Sequence, residues 1–267
     1  MKVKIAVVQF KSQLHEPEIN LKRAEDFIKN ASRSKTNIIV FPENFITGPV
    51  ALEKQYWDPS KTYCQKLQII AKKYKIDIVT GSIVENTHGK AYGTSYYIDS
   101  RGQILLRYRK NHLWHSEKGH LLPDNKTSVA NTKYGKVGIV ICWDLVFPDV
   151  WQKMMQIGAE IIFCPSYWSY SDAGKGILYN NNSEIEFVNS MTIARAFENE
   201  AAVIFCNAAN NKQPRERSLI GRSQIALPFI GPIKRLNHNR EEMFITEIDT
   251  IILDVAEDTY QIKKDTK

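Results

Sequence analysis

Three side chains that can take part in nucleophilic chemistry each follow an apolar run of the sequence. Glu43 comes after the run NIIVF, Lys110 after QILLRY with one residue between, and Cys142 after GKVGIVI. Functional groups of α/β proteins gather at the carboxyl ends of strands, so these residues indicate a site at such an edge. A thiol with a carboxylate base and an ammonium group beside it can attack a carbonyl or nitrile carbon.

Cys142 is the most specific of these signals. The sequence predicts a strand, the cysteine, a short turn and then a helix that begins at Pro148. Amides at a helix N-terminus lower the pKa of a nearby thiol and can bind an oxyanion, so we expect an activated thiol. The other cysteines lack a matched acid or base and are interpreted as buried structural residues: Cys64, Cys164 and Cys206.

The base that would accept the thiol proton has more than one candidate. His112, His115 and His120 all lie in the polar stretch after Lys110, so a Cys–His pair is one interpretation. Glu43 is the other, because a carboxylate in a partly apolar wall beside a lysine can take a thiol proton. Lys110 would then stabilise the negative charge of the intermediate. Taken singly, Glu43 fits a helix cap or surface acid and Lys110 a solvated charge, so the assignment depends on the set.

The elements that must position these residues alternate along the chain. Alternating strands and helices predict an α/β layered fold, and hairpin-linked strands with a strand-rich C-terminal part indicate mixed sheets. No linker or repeat interrupts the sequence, so residues 1–267 are treated as a single domain. Strands are predicted over 3–10, 37–41, 76–84, 91–99, 103–108, 135–141, 160–164, 201–206, 218–226 and 243–248. Helices are predicted after Pro17 and over 63–74, 148–157 and 183–200.

Two details of the helix ends can be predicted as well. Ser183 and Glu186 have the spacing of a capping box, which would open the helix over 183–200. The last residues, 263–267, are expected to form a frayed tail.

Composition excludes several classes of function. The 267 residues are 43% hydrophobic and 24% charged, as in an ordinary globular protein. The formal charge is +7, but the lysines are scattered among acids, so nucleic acid is not an expected partner. No stretch approaches the roughly 20 apolar residues of a membrane span, and no glycine-rich phosphate loop follows the first strand. Sparse cysteines and the absence of a signal peptide predict a cytoplasmic protein with reduced thiols.

Together the three loops resemble the signatures of the nitrilase superfamily of carbon–nitrogen hydrolases. The matching segments are FPENFITG around Glu43, YRKNHL around Lys110 and GIVICWDLVFP around Cys142, in the family's order. Further similarity runs through GAEII, RAFEN and the closing Ile248-Asp249, so the resemblance covers nearly the whole chain. Three separate motifs indicate membership of this superfamily much more strongly than a single motif would.

The resemblance implies a site, a fold and an assembly. It implies that Glu43, Lys110 and Cys142 form the catalytic set and that Glu117 positions the base or the leaving amine. The implied fold is a four-layer α-β-β-α sandwich, usually paired into a homodimer or higher homo-oligomer through an outer helical layer. The implied activity is hydrolysis of small amides or carbamoyl compounds through a thioester. No metal or organic cofactor is implied.

Some positions differ from the family's pattern, so the sequence does not assign the chain to one subfamily. Trp143 stands where many members carry tyrosine, Val146 replaces a common arginine, and Pro123-Asp124-Asn125 replaces a Pro-Gly-Asp turn. Trp143 and Trp168 are the candidate substrate-binding aromatics, and residues 167–182 form either a pocket wall or a plain surface loop. The alternatives are a nitrilase, an acyl transferase, or a catalytically silent interaction protein on the same fold.

Overall fold

A computed structural model describes residues 1–58, 60–210 and 218–266 of the chain. The described strands are β1 (Lys2–Gln9), β2 (Ile38–Val40), β3 (Asp77–Val79), β4 (Ile83–Thr87), β5 (Lys90–Ile98), β6 (Ile104–Arg109), β7 (Val129–Thr132), β8 (Gly135–Ile139), β9 (Ile161–Ser166), β10 (Ala202–Asn207), β11 (Gln224–Leu227), β12 (Gly231–Arg235) and β13 (Glu242–Asp249). The described α-helices are α1 (Pro17–Arg33), α2 (Thr62–Tyr74), α3 (Pro148–Gln156), α4 (Ser183–Glu198), α5 (Ile251–Tyr260) and α6 (Ile262–Asp265).

The strands form two mixed sheets. The first has the order β13-β1-β2-β3-β5-β4, with β6 also paired to β5, and the second has the order β12-β11-β10-β9-β8-β7. The centre of each sheet is parallel, β1-β2-β3 in one and β8-β9-β10 in the other. The remaining pairings are antiparallel.

Strand β1 shows why the sheets lie between other layers. Its side chains alternate between two faces, and both faces are apolar. Val3, Ile5 and Val7 belong to the core between the sheets, whereas Ala6 and Val8 belong to the core under the helices. A strand that is buried on both faces reads as a continuous apolar run, which is the pattern seen in the sequence.

Helices cover the outer face of each sheet. Helices α1 and α2 contribute Leu21, Ile28 and Leu67 to the core on the first sheet. Helices α3 and α4 contribute Trp151 and Val188 to the core on the second. Pro at the first position of both α1 and α3 fits the helix start, since its missing N–H would have no partner there. The predicted four-layer α-β-β-α fold is therefore confirmed.

Several element predictions need correction. The segment 76–84 is two strands, because the chain turns at Gly81 with a positive φ of 64°. The strand predicted over 218–226 is shorter in the structure, Gln224–Leu227, and no sequence pattern predicted β7, β12 or α5. The tail is helical through Asp265.

The capping-box prediction is wrong. The residue before α4 is Asn182, which makes no side-chain cap. Glu186 instead accepts a hydrogen bond from Asn180 Nδ2 at 2.9 Å.

Two findings bear on the chain's surroundings. None of the helices in the described ranges has the length and apolar content needed to cross a lipid bilayer. All four cysteines are free and buried, and three of them lie in the helix and strand positions interpreted as structural.

Candidate active site

Glu43, Lys110 and Cys142 meet at one end of the space between the sheets. Lys110 Nζ donates to Glu43 Oε1 at 2.9 Å and to Glu117 Oε1 at 2.9 Å. The carboxylate of Glu43 also contacts the Cys142 thiol as a hydrogen-bond partner. The lysine side chain is 1% exposed and that of Glu43 4%. The four residues that the family resemblance singled out thus form one connected cluster.

Three members of the cluster follow the end of a strand closely, whereas Glu117 ends a short 3₁₀ turn in the loop after β6. Glu43 comes three residues after β2, Lys110 directly after β6, and Cys142 three residues after β8. The loop that carries Glu43 rests on Gly81, where an added Cβ would lie 2.0 Å from the carbonyl oxygen of Pro42. Only glycine fits this close approach at a positive φ, so Gly81 fixes the position of the glutamate.

Cys142 sits on a tight backbone turn. Its φ is 47°, a left-handed conformation that is uncommon for a residue with a side chain. It begins a 3₁₀ turn over Cys142–Val146, which leads into α3. The thiol therefore points from a sharp strand-to-helix junction into the cluster, and the strain is typical of a functional position.

Asp144, two residues on, ties this turn to the lysine loop. Its buried carboxylate accepts hydrogen bonds from Tyr108 Oη at 2.8 Å, from the His112 amide at 2.8 Å and from the Ile141 amide at 3.0 Å. The ring of His112 lies against the same carboxylate at 3.0 Å. Because Tyr108 and His112 flank Lys110 in sequence, Asp144 fixes the lysine relative to the nucleophile.

The 3₁₀ turn that begins at Cys142 is also held by hydrogen bonds from helix α4 in the outer layer. Arg195 of α4 donates through Nε to the carbonyl of Leu145 at 3.0 Å and through a terminal nitrogen to that of Val146 at 3.1 Å. Its charge is balanced by an ion pair with Glu198. The turn that carries the nucleophile is thus anchored on both sides.

The electrostatics of the cluster favour a protonated thiol at rest. Burial, followed by the neighbouring Glu43 carboxylate, raises the pKa of the Cys142 thiol well above its ordinary value, and Lys110 opposes this only in part. The expected lowering of the pKa of this thiol is therefore wrong for the resting site. Burial also raises the pKa of Glu43, against the opposing charge of Lys110. A carboxylate of raised pKa is a stronger base, and it lies next to the proton it would accept.

Lys110 remains an ammonium group despite its burial. Burial lowers its pKa, but the charges of Glu43 and Glu117 more than offset this and leave the pKa well above its ordinary value. Glu117 is itself held by the Trp114 amide, which donates to Oε2 at 2.7 Å. The cluster thus holds one fixed positive charge between two carboxylates.

A cavity of about 290 Å³ opens over the cluster. Trp143 and Trp168 both line it, with their ring centroids 5.7 Å apart. Trp168 is held by its amide, which donates to Asn207 Oδ1 at 2.7 Å, and by its indole N–H, which donates to Glu184 at 2.5 Å. A cavity of this size, with apolar walls and a few polar groups, suits a small molecule.

The site also contains residues that sequence reasoning missed. Tyr167 lines the cavity, and its backbone amide donates a hydrogen bond to the Cys142 sulfur. Asp172 lies in the cavity wall, which settles the first part of residues 167–182 as pocket wall. Neither residue was singled out from the sequence, although both lie in the segment 167–182 interpreted as a pocket wall or a surface loop, and Tyr167 directly follows β9. Of the histidines considered as a base, His112 instead contacts Asp144 and stacks on Phe147 at 3.7 Å.

Known amidases resemble this chain over most of its length. The chain is similar to the 2-oxoglutaramate amidase of Bacillus subtilis, 28% identical over 93% of this chain and 92% of that protein. It is similar to the omega-amidase of Saccharomyces cerevisiae, 28% identical over 95% of this chain and 89% of that protein.

Solved structures show the same fold. The crystal structure of Saccharomyces cerevisiae Nit3, a member of branch 10 of the nitrilase superfamily, matches with a TM-score of 0.84 and 28% identity over 96% of this chain and 93% of that one. An amidase from Nesterenkonia sp. AN1 shares the fold at a TM-score of 0.79 and 19% identity, over 98% of this chain and 96% of that one. The family model described as carbon-nitrogen hydrolase matches residues 4–253. The chain belongs to the carbon–nitrogen hydrolase family.

Proposed function

We propose that this carbon–nitrogen hydrolase is an amidase that cleaves small non-peptide amides or carbamoyl compounds through a thioester on Cys142. One observation carries the proposal. Lys110 Nζ lies 2.9 Å from both Glu43 and Glu117, and the Glu43 carboxylate contacts the Cys142 thiol at the base of a small cavity. A nucleophile, its base and a fixed cation within reach of one another are the parts that acyl transfer needs.

The reaction would proceed in two halves. Glu43 takes the thiol proton as the sulfur of Cys142 attacks the amide carbon, which forms a C–S bond and an oxyanion. When the intermediate collapses, the C–N bond breaks, and the departing nitrogen takes the proton from Glu43. Water then attacks the thioester and gives a proton to Glu43. The C–S bond breaks, the acid leaves, and the proton returns to the sulfur.

The remaining groups would act on charge and position. Lys110 and the backbone amide of Trp143, the second residue of the 3₁₀ turn, would stabilise the oxyanion, since the first amides of a helical turn have no partner within it. Glu117 would hold Lys110 and orient the leaving nitrogen. Trp143 and Trp168 would pack against the rest of the substrate.

Replacement of Cys142 tests the proposal. We expect Cys142→Ala and Cys142→Ser to reduce ammonia release from a panel of amides, carbamoyl compounds and nitriles to background, because the thioester cannot form. The wild-type chain should also show, by mass spectrometry, an acyl adduct on the peptide that contains Cys142.

Cys64→Ser is the matched control, since that thiol is buried in α2, in the core under the first helical layer and away from the cluster. It should keep its activity, and circular dichroism should show all variants folded. Wild-type turnover by Cys142→Ala would refute the mechanism. An acyl adduct on another cysteine would assign the nucleophile to that residue.

The assembly and location are further parts of the proposal. We propose a homodimer that pairs through the α4–α5 surface, where Phe187 and Phe197 are exposed on α4 and Ile251 and Val255 on α5. The two helices are neighbours, since the rings of Phe197 and Tyr260 lie 4.8 Å apart, and exposed apolar side chains grouped on one surface are typical of an interface. We also propose a cytoplasmic location, which the four free cysteines support.

A further inference from the structure

The described lining of the cavity over Cys142 carries more negative than positive charge. Among the residues that the structure describes, the charged ones that line it are the three carboxylates of Glu43, Glu117 and Asp172 and the ammonium of Lys110. Lys110 is already bound to Glu43 and Glu117. Its charge is therefore used at the reaction centre, and no other described residue of the lining offers Asp172 a counter-ion.

Asp172 is held in place only by neutral donors. Its Oδ2 accepts the Ser169 amide at 2.8 Å, and its Oδ1 accepts the Ser169 hydroxyl at 2.8 Å. Within the described ranges, no lysine, arginine or histidine forms an ion pair with Asp172; the charged groups that act on it are Glu184, of the same sign, and Lys110, which is already paired. An ionised carboxylate accepts about four hydrogen bonds, so each oxygen can still bind a donor from the cavity.

An unpaired carboxylate in a partly closed cavity is costly to the folded protein. Such a cost is typically tolerated at functional sites. The walls point to the same ligand chemistry independently, because Trp114, Trp143 and Trp168 line the cavity with indole rings. Indole faces attract cations.

We propose that Asp172 selects amides or carbamoyl compounds that carry a cationic group, an ammonium or a guanidinium, at the end remote from the scissile carbonyl. This inference rests on the proposed amidase function. The reacting carbon sits at Cys142 beside Lys110, while the cation binds between Asp172 and the indole rings. A substrate with a carboxylate in that place would meet the negative charge without a partner, so anionic amides are rejected.

The test uses primary amides matched in length and differing in end group. The probes are 4-aminobutanamide, butanamide and succinamate, with the five-carbon set 5-aminopentanamide, pentanamide and glutaramate to allow for the distance to Asp172. Ammonia release at pH 7.5 gives kcat/KM for each. We expect the cationic amide to exceed the neutral one by about tenfold or more, the factor of one charge-assisted contact, and the anionic amide to be slowest.

The variant Asp172→Asn should reduce the ratio of cationic to neutral kcat/KM by about tenfold. This ratio is informative even if the substitution disturbs the wall, because a structural defect lowers both rates together. Asp149→Asn is the control. It removes the same charge from an exposed position on α3 and should leave the ratio unchanged.

Proton concentration gives a second readout of the same contact. Burial and, to a smaller extent, the charge of Glu184 raise the pKa of Asp172 to about 6, against the hydrogen bonds from Ser169 and the charge of Lys110, which lower it. Asp172 is therefore ionised at pH 7.5 and protonated well below pH 6. The cationic advantage should decline as the pH falls through about 6 in the wild type and stay flat in Asp172→Asn.

The outcomes separate this inference from the function on which it rests. Turnover of butanamide with no preference for the cation, a preference for succinamate, or an unchanged ratio in Asp172→Asn would each overturn the charge selection alone. Failure of the wild type to release ammonia from every amide at both lengths would overturn the amidase proposal as well.

Discussion

Lys110 lies between two carboxylates, and this arrangement controls the proton of the neighbouring thiol. Burial has the largest effect and raises the pKa of Glu43. The charge of Lys110 lowers this pKa, and the charge of Glu117 raises it. A base must be deprotonated to act, so activity depends on the pH at which Glu43 ionises. The raised pKa moves that pH upward from the ordinary value of 4.5.

Ionisation of Glu43 should set the acidic limb of the pH profile of kcat/KM. We expect kcat/KM to fall as the pH decreases through the raised pKa of Glu43, above 4.5. Glu117→Gln removes a negative charge beside Glu43, which lowers the pKa of Glu43 and shifts the limb to lower pH. Glu43→Gln should reduce kcat by about 10²–10⁴-fold at every pH. An acidic limb that does not move, or moves upward, in Glu117→Gln would assign it to another group.

At the scale of elements, the two loops that carry Lys110 and Cys142 are joined through Asp144. Tyr108 of β6 donates to Asp144 Oδ2 at 2.8 Å, and the same oxygen accepts the amide of Ile141 just before the nucleophile. Loss of the tyrosine hydroxyl would therefore loosen the nucleophile turn relative to the lysine. A small displacement of a catalytic group has a large effect on rate.

Tyr108→Phe and Tyr97→Phe form a matched pair that isolates this effect. Both tyrosines are buried and donate to a buried aspartate, since Tyr97 Oη lies 2.8 Å from Oδ2 of Asp77, the first residue of β3 and so at the opposite end of the parallel strands from Glu43. Each change should cost about 1.5–3 kcal/mol in the free energy of unfolding, measured in urea. Only Tyr108→Phe should also lower kcat, with KM little changed. Equal kcat values in the two variants would limit the role of Asp144 to stability.

The sequence could predict the elements that bring Glu43, Lys110 and Cys142 together, because each follows a strand with a clear apolar pattern. It could not predict the contacts between loops. Asp144 and His112 are 32 residues apart, and no local pattern links them. Asp172 lies in a segment without helical or strand periodicity, so its place in the cavity wall follows only from the tertiary fold. The expected low pKa of the Cys142 thiol was wrong because a facing carboxylate and burial outweigh the turn amides.

At the scale of the whole molecule, the two helical layers differ in what they present outward. The α1–α2 layer is bridged by the ion pairs Lys66–Glu18 and Lys73–Glu25. That layer exposes two isoleucines, Ile19 and Ile69, whereas the α4–α5 layer exposes a larger apolar set, Phe187, Phe197, Ile251 and Val255. Removal of such a surface from water favours association, so the second layer is the expected contact between two copies.

Phe187→Glu tests this interface. Phe187 is 46% exposed, and a carboxylate there should cost the isolated chain little but oppose burial against a second copy. We expect the wild type to have a solution mass of twice 30.7 kDa by light scattering, and the variant to shift toward the monomer as it is diluted. Ile69→Glu, on α2 and 68% exposed, makes the same change on the opposite layer and should leave the mass unchanged. A monomeric wild type would contradict the proposed dimer, whereas dissociation caused by Ile69→Glu alone would place the contact on the α1–α2 layer.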